Sequence, residues 1–560
     1  MKFCLRFIVI ILTLQASAQL QQPDDDVIVR AMQDELKRNM SELSLPNLDK
    51  PFFMMYGISD QKSYSIMATL GSIIQSTEAQ QRFKSTTRVL VGDYSFNDES
   101  LEDNLFSGPT AREINLPLDA DYNGIRRSFW SATDKVYRDA ARHFARHKET
   151  LKETGKTLSD IPHRSFAKSA PMVRMGSLPA TTFNKAEWEQ KARNLSSHFL
   201  KDPSIINSAV MVQYSEGYEY LVNSEGTLAK LPVSLITFAA LCQSKNAEGE
   251  FTIKQIMHMA RSSEKLPSEQ QLTTEIQNMI ADMQTLANTP KFDDEYSGPV
   301  LLMGPAVAEL FSRALFEGRE NIMANDNITP LTGFQFEEEM AAMDGKIGKN
   351  IFNEAITIKA KPKLRSYNGI DLLGSYEMDS EGIVPADEVV VVQNGVLKTL
   401  LNNRTLTHPT QTANGFSSGP GVLEITLTHK QSEKVLKEKL LAQAKKEGLD
   451  YAIIVRDAPG FGFGLMNVYK VSVKDGKEQY MRNAILNPTN VKTLKRILGA
   501  SSQYQAHNLG GSLNVELGGS NQVMSFIVPQ AVLLQEMDIQ PFRMPSLKEE
   551  EYVSNPLKLN

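Results

Sequence analysis

Several residue groups in this chain have types and spacings that could support chemistry. His143 and His147 stand four apart, which sets two imidazoles on one helix face and would suit zinc. The residue after His143 is Phe144 rather than a general base, and Arg142, Arg146 and Lys148 repel a cation, so a solvated helix face is expected. Gly415-Phe416-Ser417-Ser418-Gly419 has the G-x-S-x-G form of a nucleophile elbow, which requires an apolar strand before it and a helix after it. Thr407 to Ala413 and Gly419-Pro420-Gly421 provide neither, so the segment reads as a loop. Gly460-Phe461-Gly462-Phe463-Gly464 resembles a dinucleotide-binding fingerprint, but Leu465 occupies the third glycine position and the run that follows reads as strand, so a nucleotide site is not expected. Glu309 and Glu317 could hold a hard cation, as carboxylates do, but a helix with one solvated face is the expected reading. Asp379-Ser380-Glu381-Gly382 is an acidic turn before an extended run, and Glu381 there can accept hydrogen bonds from neighbouring backbone. His408, His429 and His507 fall in different predicted loops or strand ends.

These groups need elements to position them. Apolar residues near the 3.6 period predict a helix over 27–45, ended by Pro46. Strands are predicted at Phe52–Ser59 and Ser63–Ser72 with a turn at Asp60–Lys62, and again at Thr86–Tyr94. A long charged helix covers 121–160, a loop 161–182, and a second helix Lys185–Leu200. Strands Ser208–Tyr214 and Tyr218–Asn223 follow, closed by the turn Asn223-Ser224-Glu225-Gly226-Thr227. A helix over Thr273–Thr289 precedes a boundary near Pro290. Beyond it the pattern becomes β-rich, with strands at Gly298–Met303, Glu354–Lys361, Glu388–Gln393, Leu423–Thr428, Tyr451–Val455, Val468–Val473, Gln479–Met481 and Gln522–Val528. Helices are placed at Val307–Phe316, Gln431–Glu447 and Val491–Leu498. Strands and helices grouped in this way indicate an α+β fold rather than a doubly wound one.

The order of phrases in the second half carries a resemblance. Ser297-Gly298-Pro299-Val300-Leu301-Leu302 leads through Gly304-Pro305 into an apolar helix ending Ala314-Leu315-Phe316-Glu317-Gly318. Asp379-Ser380-Glu381-Gly382 follows, then the strand 388–393 closed by Asn394-Gly395-Val396-Leu397-Lys398. This order resembles the C-terminal half of the TldD/PmbA (TldD/TldE) family of metallopeptidases. The "VGDY" strand and the "NSEG" turn at 223–226 resemble phrases of the family's N-terminal half. The resemblance implies an N-terminal mixed sheet with long helices and a C-terminal β-rich domain, rolled or barrel-like. The expected divisions are a leader at 1–18, an N-terminal domain at 19–290, a C-terminal domain at 291–545 and a tail at 546–560.

In catalytic members of the family this helix carries His-Glu-x-x-x-His, and a cysteine near the C-terminus binds the metal. Registered on Glu317-Gly318, the three positions here hold Glu309, Leu310 and Ala314, and no histidine lies between His258 and His408 in any register. The resemblance therefore implies a PmbA/TldE-like subunit without a zinc site of its own. No cofactor is expected in this chain, and zinc is expected only in a catalytic partner. Gly304, Glu317, Gly318, Asp379, Glu381 and Gly382 are the positions the resemblance assigns to a substrate cleft; for the Asp379–Gly382 corner a purely structural turn is an equal reading. The implied partners are a second copy or a TldD-like subunit, with extended peptide as substrate. Two other classes stay open: a stand-alone peptide-binding protein, and an active metallopeptidase with a non-standard site drawing on His408, His429 or His507.

Composition narrows the setting. At 560 residues two domains are expected, and a net charge of −6 argues against a nucleic-acid surface. No segment after the N-terminus has the apolar length to span a bilayer. Lys2 and Arg6, the apolar run Phe7–Leu14 and Ala16-Ser17-Ala18 form a secretory signal cleaved before Gln19. The expected location is secreted, in a bacterial periplasm or outside the cell, free of the membrane once the signal is removed. One cysteine, Cys242, then remains; it ends an apolar run and is expected as a buried small hydrophobe. Mass spectrometry of the exported protein should show Gln19 as the first residue, and an intact or acylated N-terminus would contradict the signal.

Overall fold

The computed structural model describes residues 26–101, 111–161, 163–178, 183–245, 251–287, 289–316, 321–323, 343–407, 411–456, 465–487, 489–510 and 523–542. The expected leader and tail, Glu317, Gly318, His408 and Gly460–Gly464 lie outside these residues.

The N-terminal half is built on a seven-stranded sheet dominated by four long antiparallel strands, Pro51–Thr69, Ser72–Val91, Ile205–Asn223 and Leu228–Lys245. At about 3.3 Å per residue each runs roughly 60 Å. Short strands Ala111–Glu113 and Val173–Met175 pair at the two outer edges, and Phe251–Ala260 pairs with the far part of Leu228–Lys245.

Two expected turns are instead continuous strand. Asp60-Gln61-Lys62 stays extended because its charges find cross-strand partners: Arg82 lies 3.1 Å from Asp60, and Lys62 lies 2.6 Å from Glu78. The chain reverses at Leu70-Gly71 instead, both with positive φ. The break expected between Tyr214 and Tyr218 is likewise absent. Gly217 pairs opposite Gln61 there, and a Cβ would collide with the Asp60 carbonyl, so glycine marks a close backbone approach rather than a turn.

All the helices of this half lie on one face of the sheet. Along Pro51–Thr69 the side chains of Met54, Tyr56 and Ile58 meet helices Val27–Glu42 and Tyr122–Thr154, while Tyr64, Ile66 and Ala68 meet Lys185–Ser197 and Glu269–Ala287. Even positions on one strand share a face, so two helix pairs cover successive stretches of the same surface. Asp121 caps Tyr122–Thr154 through the Gly124 N–H, and Gly155 ends it in the left-handed conformation. His147 departs from the solvated reading: it is buried in this helix, with Nδ1 3.3 Å from the Asn97 carbonyl.

The described residues of the C-terminal half form two further large sheets. A six-stranded sheet runs in the order Val396–Leu397, Val389–Gln393, Ile356–Ala360, Val422–Leu427, Met524–Pro529, Tyr504–Leu509. A seven-stranded sheet runs Lys430–Gln431, Ile497–Ser501, Ala531–Pro541, Glu478–Leu486, Leu465–Ser472, Tyr451–Val455, Tyr296–Met303. Strand Ala531–Pro541 also pairs with Tyr296–Met303, so this sheet curls back on itself. The architecture is α+β, with a rolled sheet rather than a separate barrel. Helix Pro305–Phe316 is buried between the two sheets, its Leu310, Phe311 and Ala314 sharing one cluster with Val300, Ile358, Leu423 and Val532. The expected helix Val491–Leu498 is one short turn, Val491–Lys495, because Ile497 and Ala500 are drawn into strand pairing with Leu534 and Val532.

Cys242 is fully buried on strand Leu228–Lys245, and burial pushes its thiol up to about 12. The thiolate is the reactive form, so Cys242 should ignore a disulfide reagent at pH near 8 until the protein is unfolded. Rapid modification under native conditions would contradict this packing.

Candidate functional site

Two five-residue loops, one in each half, have the same construction. In the first, Asn223 Oδ1 accepts from the N–H groups of Glu225 and Thr227, both at 3.0 Å. In the second, Asp379 Oδ1 accepts from Glu381 at 3.0 Å and Ile383 at 2.8 Å. The backbone bonds repeat as well: Asn223 N to Thr227 O and Gly226 N to Asn223 O in one, Asp379 N to Ile383 O and Gly382 N to Asp379 O in the other. Gly226 (φ 96°) and Gly382 (φ 84°) take the same left-handed position. The loops touch, since a Cβ on Gly382 would meet Leu221 and Thr227.

Between the loops lies Arg404, fully buried. Its Nη2 donates to Glu225 Oε2 at 2.7 Å, and its backbone N–H donates to Glu381 Oε2, also at 2.7 Å. Nε and Nη2 both reach the Ala167 carbonyl, at 2.9 and 2.6 Å. The guanidinium stacks 4.2 Å from the Phe166 ring centroid and 4.8 Å from that of Phe53. Arg88, from strand Ser72–Val91, completes the network: it donates to Glu381 Oε1 at 2.5 Å, to Thr405 Oγ1 at 3.0 Å, and to Glu99. Burial pushes Arg404 down from the usual guanidinium range. Burial works against the charge on Arg88 too, but Glu99 and Glu381 together hold it above its ordinary value.

The second loop is pinned from its own half by Ser417. Ser417 Oγ contacts Ser380 Oγ at 2.9 Å and accepts from the Glu381 N–H at 3.1 Å, while its own N–H donates to Asp379 Oδ2 at 3.1 Å. Burial raises Asp379 above the ordinary carboxylate range and the Glu381 charge adds to this, whereas the N–H donors oppose it. The glycine-serine loop at 415–419 thus serves as a buttress for the acidic turn. Arg261 also joins the halves, its Nη2 reaching the Leu373 and Ser375 carbonyls at 3.1 and 3.0 Å.

The expected cleft residues therefore separate. Asp379, Glu381 and Gly382 sit together in the buried junction. Gly304 is elsewhere, turning the chain with φ 56° into helix Pro305–Phe316, its N–H donating to Gln530 O at 2.7 Å. Glu317 and Gly318 fall outside the described residues. Along the helix, Glu309 is held by Arg313 at 2.8 Å, while Leu310 and Ala314 are buried in the apolar cluster between the sheets. One carboxylate already paired and two hydrocarbon side chains do not fit a zinc ion. His507, on strand Tyr504–Leu509, is partly buried and pushed down by that burial, whereas His429 is exposed. Among the described residues no three His, Cys, Asp or Glu side chains converge as a metal site would require.

Sequence reasoning did not find Arg404, Arg88 and Glu99. The available signal was the repeated Ser-Glu-Gly after Asn223 and Asp379, together with a lone arginine in Leu401-Asn402-Asn403-Arg404-Thr405-Leu406.

A helix sandwiched between two sheets, joined to a long-stranded half, defines an α+β fold. Residues 295–541 match the family model described as the PmbA/TldA metallopeptidase C-terminal domain. The whole fold is similar to that of TldE from Thermococcus kodakarensis, with TM-score 0.52 and 12% identity, covering 91% of this chain and 100% of that one. A Thermotoga maritima protein described as a modulator of a DNA gyrase gives 0.53 at 15% identity, over 87% and 96% of the two chains. A Bacteroides thetaiotaomicron protein similarly described gives 0.54 at 11%, over 93% and 100%. Over 62 residues the chain is 47% identical to a metalloprotease of Methanothermobacter thermautotrophicus, a match spanning 11% of this chain and 12% of that protein. Residues 295–541 are thus similar to a PmbA/TldA-type metallopeptidase C-terminal domain, and the chain shares the fold of these solved structures.

Removing one partner of a buried ion pair typically costs about 3–5 kcal/mol, because the other charge is left uncompensated. Arg404→Met should destabilise the chain by about that amount in equilibrium denaturation. Adding Glu225→Gln should recover part of the loss. A variant as stable as the parent would remove Arg404 from its central place.

Proposed function

We propose that this chain is a secreted, non-catalytic, TldE-like subunit of a metallopeptidase complex that hydrolyses extended or unfolded peptides. The observation that carries this reading is helix Pro305–Phe316, where Leu310 and Ala314 are core residues and Glu309 is tied to Arg313. Peptide hydrolysis by a metallopeptidase needs a polarised water and stabilisation of the tetrahedral oxyanion. On this reading a zinc-bearing, TldD-like partner supplies both, and this chain contributes part of the wall around the substrate. The leader at 1–18 supports export, and the acidic balance of the chain supports a setting away from nucleic acid.

The purified chain alone should leave unfolded peptides intact and hold no stoichiometric zinc by elemental analysis. Mixed with a zinc-bearing family member from the same organism, it should support cleavage that chelators abolish. Chelator-sensitive cleavage by this chain alone, with a matched control preparation inactive, would overturn the non-catalytic reading.

A further inference from the structure

Asn-Gly pairs occur in the chain at 123–124, 368–369, 394–395 and 414–415. Such a pair has a chemistry of its own. The glycine amide nitrogen can attack the asparagine side-chain carbonyl, because no side chain on the glycine shields it. The new N–C bond closes a succinimide ring, the C–Nδ2 bond breaks, and the nitrogen leaves as ammonia. Water then opens the ring at either carbonyl, giving aspartate or isoaspartate. The dipeptide is the same in every place, so its surroundings decide which copy reacts.

Three of the pairs are held. Asn123 lies in the first turn of helix Tyr122–Thr154, where the Gly124 N–H donates to the Asp121 carboxylate. Asn414 has both ends of its amide engaged: Oδ1 accepts from the Asn402 N–H at 2.6 Å, and Nδ2 donates to the Leu400 carbonyl at 2.8 Å. Asn394-Gly395 forms the tight turn between Val389–Gln393 and Val396–Leu397, at the edge of the six-stranded sheet. Gly395 is buried there, with its N–H donating to the Ile356 carbonyl at 2.9 Å. Its own carbonyl accepts from the N–H groups of Ile351 and Phe352.

Asn368-Gly369 makes the same turn without these restraints. Its φ angles of 48° and 81° match the 49° and 80° of Asn394-Gly395, and positive values at both positions mark a type I′ hairpin turn. The hairpin is a sheet of its own, closed by the pairs Ser366–Asp371 and Tyr367–Ile370. Asn368, Gly369 and Ile370 are exposed, and a Cβ on Gly369 would meet nothing within 4 Å. Among the described residues the Asn368 side chain has no hydrogen-bond partner, and the Gly369 N–H donates to no carbonyl. Ring closure requires Asn368 to leave the turn conformation, and a two-stranded hairpin this short opens at little cost.

We infer that Asn368 is a site of spontaneous deamidation, the one Asn-Gly pair of this chain that the fold leaves free to react. Either product places a negative charge at the hairpin tip. Isoaspartate also routes the main chain through Cβ and lengthens it, which a two-residue turn cannot absorb. The base of the hairpin stays anchored, because Tyr367 packs against the cluster of Leu372, Val422, Ala506 and Ile527 and the Leu372 N–H donates to the Arg365 carbonyl at 2.8 Å. The change is therefore confined to the tip and leaves the junction between the halves intact.

The inference is independent of the peptidase reading, because it is read from the mass of single peptides. The folded full chain is incubated at mildly alkaline pH in water enriched in oxygen-18, then digested at acidic pH, which suppresses further reaction. Peptide mapping by mass spectrometry should find labelled aspartate and isoaspartate at position 368. Conversion there should run at least about tenfold faster than at 123, 394 or 414, since each held pair must first open locally. The rate should rise with pH, because the attacking nitrogen is the deprotonated amide. In denaturant the rates at the four positions should converge, and a ranking that persists there would assign the preference to sequence and overturn the structural account. An Asn368 that stays unlabelled, or that any of the other three matches in the folded chain, would also overturn it.

Discussion

The junction between the halves depends on one buried cation. Arg404 is enclosed by two phenylalanine rings, a backbone carbonyl and the carboxylates of Glu225 and Glu381, with no side-chain exposure of its own. Taking a guanidinium out of water is costly, and the cost is offset only when geometry and hydrogen bonds are nearly complete. Glu225 meets the guanidinium and Glu381 meets the backbone N–H of the same residue, and the duplicated loop holds both carboxylates in place. In each loop a short polar side chain takes two backbone N–H groups and a left-handed glycine closes the turn, which fixes where the glutamate points. The two loops come from sequence positions far apart, so their meeting at Arg404 sets the register between the N-terminal sheet and the C-terminal strands.

Arg88 and Glu381 extend the same logic. Glu381 accepts from the Arg88 side chain and from the Arg404 backbone at once, so its two oxygens are both engaged. Asp379 beside it is displaced toward its neutral form by burial and by this neighbouring charge, yet it stays tied to three backbone donors. A carboxylate so fully occupied is placed to build a wall; it has little capacity left to move a proton.

Local pattern made much of the fold legible in the sequence. Strand Tyr451–Val455 lies where its apolar run placed it, and helix Tyr122–Thr154 begins after its aspartate cap. Failures occurred where distant partners decided the outcome. Asp60 to Lys62 has the composition of a turn, but Arg82 and Glu78 across the sheet neutralise it in place. Residues after Arg496 continue a helical pattern, but pairing with Ala531–Pro541 claims them as strand. His147 carries the periodicity of a charged helix, yet it lies on the turn facing Asn97. At the candidate site the acidic turn was visible from its own residues, whereas its cationic partners lie 293 and 23 positions away from Glu381. Turn chemistry is local and ion pairing is not, which is why one could be read and the other could not.

The same distinction bears on helix Pro305–Phe316. Its position between two sheets makes every inward side chain part of the largest apolar cluster, so the identity of residues 310 and 314 is a packing matter before it is a chemical one. A carboxylate at a site as buried as Leu310 would need a charge partner or a metal to remain ionised, and an isolated one would neutralise instead. Two hydrocarbon side chains there make the core self-sufficient, with no ion needed to satisfy it. Placing histidine and glutamate at these positions would thus remove the apolar fill of the core and bury polar groups among hydrocarbon. Closure of the core and the hydrocarbon character of positions 310 and 314 are thus one and the same feature.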